Sequence, residues 1–272
     1  MRLYQFMSAG AATLAFAALS FGVESSMQCS ERADRSCEIR ESKMAASQTL
    51  DVDAEPNGGI RVTAWEKNEI FVRAKVEAWS GSKQEQRETL EQIKVVTADR
   101  KITAKGPKQD GWLPGFSRHW SVSYEVMVPA RIDLTMRTVN GGIHLDGVRG
   151  LAKLQTVNGG IDLSRVSGRV HAETVNGGVH AQLEGKQWDG EGLDVKTVNG
   201  GVTVEVPDTF NAELHASTVN GGLNSDFPGA KITKATSFGI GPKSLDQSLG
   251  KGGARIGMET VNGGVKVRRR TA

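Results

Sequence analysis

Residues 151–165 read Leu-Ala-Lys-Leu-Gln-Thr-Val-Asn-Gly-Gly-Ile-Asp-Leu-Ser-Arg, and the central Thr-Val-Asn-Gly-Gly decides how the chain folds. This motif occurs six times, and a related Pro-Asn-Gly-Gly begins at Pro56. The six copies begin at Thr138, Thr156, Thr174, Thr197, Thr218 and Thr260, with spacings of 18, 18, 23, 21 and 42 residues. Periods near 20 residues are typical of stacked repeats, none of which buries its apolar face alone. The last gap indicates a degenerate copy at Thr236-Ser237-Phe238-Gly239.

Apolar and polar residues alternate on both sides of each motif. Before one motif, Val170, Ala172, Thr174 and Asn176 share one parity, whereas His171 has the other. The short stretch after each motif alternates in the same way. Such alternation predicts strands with an apolar inner face and a polar outer face. The parity places the motif asparagines on the inner side.

Two all-β architectures can use such strands. Asn-Gly is a strong hairpin signal, so an antiparallel meander is one alternative. A meander of such short strands would leave a large apolar face uncovered, whereas a single-chain β-solenoid covers that face with its opposite wall. We therefore predict a β-solenoid in which the glycines allow positive φ and sharp corners. With chain order taken as stacking order, the motif amides would form a hydrogen-bonded ladder, made of Asn140, Asn158, Asn176, Asn199, Asn220 and Asn262.

Residues 48–130 differ from the repeats and predict longer strands, with a capping box at Ser82–Glu85 that opens a helix over about residues 83–93. We interpret this region as broader coils with a helical cap. The predicted organisation is a signal peptide at 1–26, a polar linker at 27–47, these broad coils at 48–130, the repeat solenoid at 131–267 and a basic tail at 268–272. Arginines at the end of a last strand would protect an open sheet edge.

The N-terminus has the pattern of an export signal. Arg2 is the only charged residue before Glu24, and small apolar residues fill positions 8–23. This apolar stretch is short for a membrane-spanning helix, although a retained anchor is the alternative to cleavage. Cys29 and Cys37, the only cysteines, could form a disulfide in an oxidising compartment. We expect an exported chain in the periplasm, on the cell surface or secreted, with no membrane span after cleavage.

The early Asn57-Gly58-Gly59-Ile60-Arg61-Val62 run, the short helix and the repeated Asn-Gly-Gly turns resemble the bacterial putative-adhesin family, whose members carry a conserved domain of unknown function. The resemblance covers about residues 48–267. It implies a β-solenoid similar to a single-stranded right-handed β-helix. The family offers no catalytic residues to transfer to this chain.

Known catalytic motifs are missing from the sequence, which predicts no catalytic, cofactor-binding or metal-binding residues. Outward columns created by stacking do contain a His-Asp-His order, as in His171, Asp194 and His215. The two histidines would lie about 9.6 Å apart, which is too far for one metal ion. The formal net charge is only +3 and the charges are interspersed, which argues against a nucleic-acid partner.

Binding surfaces are therefore the remaining candidates. Insertions at 184–192, 224–230 and 241–253 would line one edge of the stack, and two of them carry single aromatics, Trp188 and Phe227, as candidate anchors for an envelope protein or glycan. The motif valines form an outward column that could dock a partner or simply fill a flat face. The sequence predicts a non-enzymatic, adhesin-like envelope protein, with a carbohydrate-active β-helix enzyme as the alternative.

Overall fold

The computed structural model describes residues 27–30, 32–108, 119–234 and 241–271. The predicted signal peptide and the predicted degenerate copy at Thr236 lie outside the described residues. Twenty-one strands and one helix occur in the described ranges. In chain order they are β1 (Arg35–Ala45), β2 (Thr49–Asp53), β3 (Ile60–Trp65), β4 (Glu69–Trp79), α1 (Lys83–Gln92), β5 (Lys94–Ala98), β6 (Lys101–Lys105), β7 (His119–Pro129), β8 (Asp133–Arg137), β9 (Ile143–Asp146), β10 (Arg149–Asn158), β11 (Ile161–Ser164), β12 (Ser167–Asn176), β13 (Val179–Gln182), β14 (Gly192–Asn199), β15 (Val202–Pro207), β16 (Ala212–Asn220), β17 (Leu223–Ser225), β18 (Lys231–Lys234), β19 (Lys243–Leu249), β20 (Arg255–Asn262) and β21 (Val265–Arg270).

The strands form two large sheets, and each repeat contributes one strand to each of them. The strand before Asn-Gly-Gly lies in the 11-stranded sheet B, and the strand after it lies in the 10-stranded sheet A. We call each such pair of strands a coil and number the coils by their position along the stack. Coils 1 to 7 are β2–β3, β8–β9, β10–β11, β12–β13, β14–β15, β20–β21 and β16–β17.

Neighbouring coils pair in parallel and in register, which rules out the antiparallel meander. Thr156 lies opposite Thr174, and Ile161 lies opposite Val179. Every second side chain points between the sheets, and the core between the paired strands of the coils consists mainly of small and branched residues. Buried residues from the two sheets include Leu154, Ala172, Val195, Met258, Leu145, Leu163, Ala181 and Val204.

The coils do not stack in chain order, contrary to our expectation. Strand β20 lies between β14 and β16, so that Thr260 pairs with both Thr197 and Thr218. Strand β21 lies likewise between β15 and β17. The C-terminal repeat thus fills a position between two repeats that precede it in sequence. All three repeats carry the same motif, so each accepts the others as neighbours in the same register.

Five further strands and the helix close the coil 1 end of the stack, where β7 and β6 pair with coil 1 in parallel and the other three strands add antiparallel pairs. Strands β1, β4 and β7 extend sheet A, and β5 and β6 extend sheet B. Helix α1 begins after Ser82, whose side chain accepts a hydrogen bond of 3.2 Å from the backbone N–H of Glu85. The helix ends at Gln92, one residue before the expected end.

The polar linker predicted at 27–47 is wrong, because β1 runs through most of it and pairs with β4 along 11 residues. Its side chains Ser36 and Arg40 face polar groups of the helix rather than an apolar core. Ser36 Oγ donates to Gln86 Oε1 at 2.8 Å, and the Arg40 guanidinium donates to the carbonyl oxygens of Leu90 and Ile93. This strand therefore lacks the apolar alternation that identified the others.

Two expectations for the C-terminal part are also corrected. The insertion at 241–253 is not a loop, because β19 pairs antiparallel with β16 along seven residues. The predicted basic tail is mostly strand, since Arg268, Arg269 and Arg270 belong to β21 and pair with β15. Among the described strands these arginines pair with β15 alone, because β17 pairs with β21 no further than Val267.

Candidate functional site

The outer face of sheet B is the most regular exposed surface formed by the repeats. Because neighbouring coils are in register, equivalent outward residues line up about 4.8 Å apart in columns that cross the strands. Nearest the Asn-Gly-Gly corner, the valine column comprises Val139, Val157, Val175, Val198, Val261 and Val219, in stacking order. Five of them, from Val157 to Val219, are 38–40% exposed. The repeat thus builds a narrow apolar strip on the surface.

A ladder of asparagine amides runs beside the valine column at the corner. Asn176 Nδ2 donates to Asn158 Oδ1 at 2.9 Å, and the same bond links Asn199 to Asn176. Beyond Asn199 the ladder continues to Asn262 and then to Asn220. Beyond Asn158, in the other direction, it continues to Asn140 and then to Asn57. The six motif asparagines are exposed, so the inward placement inferred from parity is wrong. The chain turns at the corner, which carries the amides out to solvent.

The motif threonine has a role that sequence reasoning missed. Each Thr hydroxyl is buried and donates to the carbonyl oxygen of a motif glycine on the neighbouring coil, as from Thr174 to Gly159 at 2.8 Å. The equivalent bonds start from Thr138, Thr156, Thr197, Thr218 and Thr260. The sequence signal for this role was the recurrence of Thr at an inward position among apolar residues.

The first glycine of each motif is required by close stacking rather than by positive φ, contrary to our expectation. A Cβ on Gly177 would lie 2.0 Å from the Gly159 carbonyl oxygen, and one on Gly263 would lie 1.9 Å from that of Gly200. None of the glycines in the six full motifs has positive φ. Corners therefore stack backbone against backbone, which keeps the valine and asparagine columns in line.

A column of mixed charge lies on the other side of the valines. Glu173 accepts a hydrogen bond of 3.1 Å from Gln155, and its other oxygen lies 2.8 Å from His171 Nε2. These contacts lower the pKa of Glu173, and the hydrogen bond from Gln155 has the largest effect. Lys196 pairs with Glu259 at 3.4 Å, and the nearby carboxylates of Asp194 and Glu259 raise the pKa of Lys196. The column is thus charged but balanced by partners on adjacent coils.

The valine and charge columns together line a shallow groove of about 590 Å³ along the stack. It extends from Glu55 and Arg137 near coil 1 to Val219 on coil 7. The groove offers apolar contact along the valine column and hydrogen-bonding groups along the charge column. It is suited to an extended, amphipathic ligand.

The repeats that build this face also identify the family. The family model of Toastrack DUF4097 matches residues 132–268, which is half of the chain. The chain belongs to the Toastrack DUF4097 family. The matched residues are coils 2 to 7 of the stack, and the resemblance to a putative-adhesin family of unknown function is confirmed.

Several solved structures resemble this Toastrack chain at low sequence identity. A protein described as a "putative cell adhesion protein" from Clostridium sporogenes is 13% identical, with a TM-score of 0.47 over 87% of this chain and 100% of its own. A "putative adhesin" from Bacteroides fragilis is 11% identical, with a TM-score of 0.43 over 86% and 97%. A "putative lipid binding protein" from Parabacteroides distasonis is 7% identical, with a TM-score of 0.30 over 86% and 95%. Among curated proteins, no relative matches the chain.

The two aromatic residues predicted as binding anchors are covered in the Toastrack fold. Trp188 is only 6% exposed, and its indole N–H donates to the Gly168 carbonyl oxygen at 2.9 Å. Phe227 is half-buried and packs against the core, while Gln247 holds its loop by donating to the Phe227 carbonyl oxygen. Both rings fold back over apolar residues because the core has few other large side chains. Trp188 is therefore not an exposed anchor, and Phe227 leaves only part of its surface open to a partner.

The remaining candidate residues form a disulfide and pairs between histidines and carboxylates. Cys29 and Cys37 form a disulfide. His171 pairs with Asp194 at 3.1 Å as expected, but His215 pairs with Asp246, because Gly257 separates it from Asp194. Within the described ranges, no group of His, Cys, Asp and Glu could hold a metal ion. No helix in the described part of the chain is long and apolar enough to cross a membrane.

Proposed function

We propose that this chain is an exported, non-enzymatic protein of the cell envelope that binds an extended glycan along the outer face of sheet B. The observation that carries the proposal is the groove, in which an apolar valine column lies beside charged side chains, with the exposed asparagine ladder at the adjacent corner. A sugar ring likewise combines apolar C–H faces with polar hydroxyl groups at its edges. The asparagine amides keep donor and acceptor capacity for hydroxyls beyond the ladder bonds.

The solenoid architecture fits this role. We propose that the stack is a single-chain β-solenoid with the right-handed sense that parallel crossovers nearly always take. Such a stack presents one equivalent side chain per coil, and a polymer that runs along the stack would repeat its contacts from coil to coil. The affinity would then come from many weak contacts rather than from one deep pocket.

Export is supported by the charge and apolar pattern of residues 1–26 and by the Cys29–Cys37 disulfide, which is stable in an oxidising compartment. Mass spectrometry of the N-terminus tests it. We expect a mature chain that begins between Phe21 and Met27. An intact Met1 on protein from the envelope would instead favour a retained anchor.

A carbohydrate-active enzyme is the alternative, and the charges of this face do not favour it. Glycoside hydrolysis needs a carboxylic acid whose pKa is raised so that it can donate a proton. The pKa of Glu173 is shifted downward by its partners, in the opposite direction. We expect no new reducing ends when envelope polysaccharide is incubated with the protein.

The binding proposal is tested by replacing Val175, Val198 and Val261 together with threonine. Threonine keeps the β-branched shape and the strand preference but adds a hydroxyl to the apolar strip. We expect the triple variant to keep its melting temperature and to bind envelope polysaccharide at least about 5-fold more weakly, since several apolar contacts are lost. Thr203→Val, on the outer face of sheet A, is the control. Unchanged glycan binding by the triple variant, or binding of envelope protein alone, would overturn the proposal.

A further inference from the structure

A second cavity, of about 550 Å³, lies on the same face and is continuous with the groove. We call it the Arg255 cavity; His171, Asp194, Lys196, Arg255 and Glu259 are among the residues that line it. Lys196 and Glu259 line the groove as well, so the two spaces meet at the charge column. Arg255 and Glu259 belong to coil 6, and they lie beside coil 5 because coil 6 is inserted between coils 5 and 7.

The column that contains His171 and Asp194 is interrupted beside this cavity. Gly257 lies between Asp194 and His215 and leaves its position without a side chain. Stacking does not demand a glycine there. A Cβ on Gly257 would meet Asp194 Oδ1 at 3.1 Å and Arg255 Nε at 3.7 Å, whereas one on Gly263 would strike a carbonyl oxygen at 1.9 Å. Gly257 instead lets two side chains of opposite charge converge above it.

Those two side chains approach each other without pairing. Asp194 Oδ1 and Arg255 Nε both lie within 4 Å of one point above Gly257, yet no ion pair joins these residues. Asp194 uses its other oxygen, Oδ2, to pair with His171. Arg255 is exposed and has no ion-pair partner among the residues that the structure describes.

Four of the other charged residues around the cavity form two ion pairs. Arg169 pairs with Glu191, and Lys196 pairs with Glu259. The guanidinium of Arg255 is therefore the group that is left to bind an anion. Guanidinium groups bind carboxylates through two parallel hydrogen bonds, and the neighbouring acidic and ammonium groups can accept from and donate to hydroxyls. A ligand that combines one carboxylate with several hydroxyls matches this set.

We propose that the Arg255 cavity binds a uronic acid residue of an acidic polysaccharide, with the sugar carboxylate on the Arg255 guanidinium and ring hydroxyls on Asp194 Oδ1 and the Lys196 ammonium. This inference rests on the proposed function, because it takes the ligand to be a glycan and adds the chemical class of that glycan. A chain that lies in the groove reaches the cavity across Lys196 and Glu259. Coil 6 thus supplies the residue that recognises the acid.

The test uses hexagalacturonate and its methyl ester, which has the same shape but no charge. We expect the purified protein to bind the acid at least about 10-fold more tightly than the ester by calorimetry. Arg255→Gln should abolish this preference. Gly257→Val should abolish it as well, because its side chain displaces Asp194 and Arg255. Lys153→Gln is the control, since it removes one positive charge from the His171–Asp194 column on coil 3, outside the cavity.

Three results would overturn the inference: no preference of the wild type for the acid, an unchanged preference in both cavity variants, or an equal loss in Lys153→Gln. The valine variant separates this inference from the proposed function. If a neutral envelope glycan binds and the triple threonine variant weakens it, the function stands while the acidic specificity fails. If neither glycan binds, both fail.

Discussion

The first glycine of each motif is the residue on which stacking depends most. In the motif of coil 7, a Cβ on Gly221 would lie 1.7 Å from the Gly263 carbonyl oxygen, whereas one on Gly222 would meet nothing within 4 Å. We expect Gly221→Ala to lower the free energy of unfolding by more than about 2 kcal/mol, because the backbone must move apart. Gly222→Ala should change it by less than about 1 kcal/mol. Urea denaturation measures both, and equal midpoints would contradict close stacking.

The threonine and asparagine of the motif should differ in their contribution to stability. Thr174→Val removes the buried donor to the Gly159 carbonyl oxygen and should cost about 1 to 2 kcal/mol. Asn176→Ala breaks two ladder bonds at an exposed site, where water replaces them, and should cost under about 1 kcal/mol. Thermal melting of the two variants shows which substitution destabilises the protein more. A larger loss from Asn176→Ala would mean that the ladder is the stronger stabilising element.

His144 makes the fold sensitive to mild acid. Burial lowers the pKa of His144 and the Arg61 guanidinium lowers it further, against the opposing carboxylates of Asp162 and Asp146. Below about pH 6.5, His144 therefore takes up a proton more readily in the unfolded chain than in the folded chain. The free energy of unfolding decreases as the pH is lowered through this range. We expect His144→Gln to reduce the loss of melting temperature between about pH 7.5 and 5.5. An identical loss in the variant would show that other groups cause it.

At the scale of elements, the repeats show what the sequence could predict. Alternation identified the strands around each motif, and Ser82 with Glu85 located the helix within a residue at its end. Strand β1 escaped prediction because Ser36 and Arg40 satisfy polar groups of α1 instead of filling an apolar core. The apolar strip on sheet B was visible as the column of motif valines. The sequence could not predict which side chains lie beside this strip, because identical motifs do not specify which coil is adjacent to which.

The inserted position of β20 has a measurable consequence. Its core residues Ile256 and Met258 are fully buried between two parallel neighbours, although they lie near the C-terminus. Amide exchange with deuterium should therefore be among the slowest in β20. The exposed edge strand β18 should exchange much faster. Fast exchange in β20 would instead be typical of a fraying terminal coil and would contradict the insertion.

At the scale of the whole molecule, the order of coils connects the fold to the proposed binding site. The Arg255 cavity exists only because the last repeat brings Arg255, Gly257 and Glu259 beside coil 5. In a stack that followed chain order, His215 of coil 7 would lie beside Asp194 and the column would be unbroken. In either order the repeats present the same motif to their neighbours. The two orders differ in which outward side chains meet, and hence in what the face can recognise.

Cysteine pairs in the exposed asparagine ladder test this order most directly. Disulfides need Cα atoms about 4.4 to 6.8 Å apart, which adjacent coils provide and which coils two positions apart, at about 9.6 Å, do not. We predict that the Asn199→Cys, Asn262→Cys variant forms a disulfide on mild oxidation, seen by mass spectrometry of peptides. The Asn199→Cys, Asn220→Cys variant should keep two free thiols. A disulfide in the second variant, with free thiols in the first, would show that the coils follow chain order and would contradict the account.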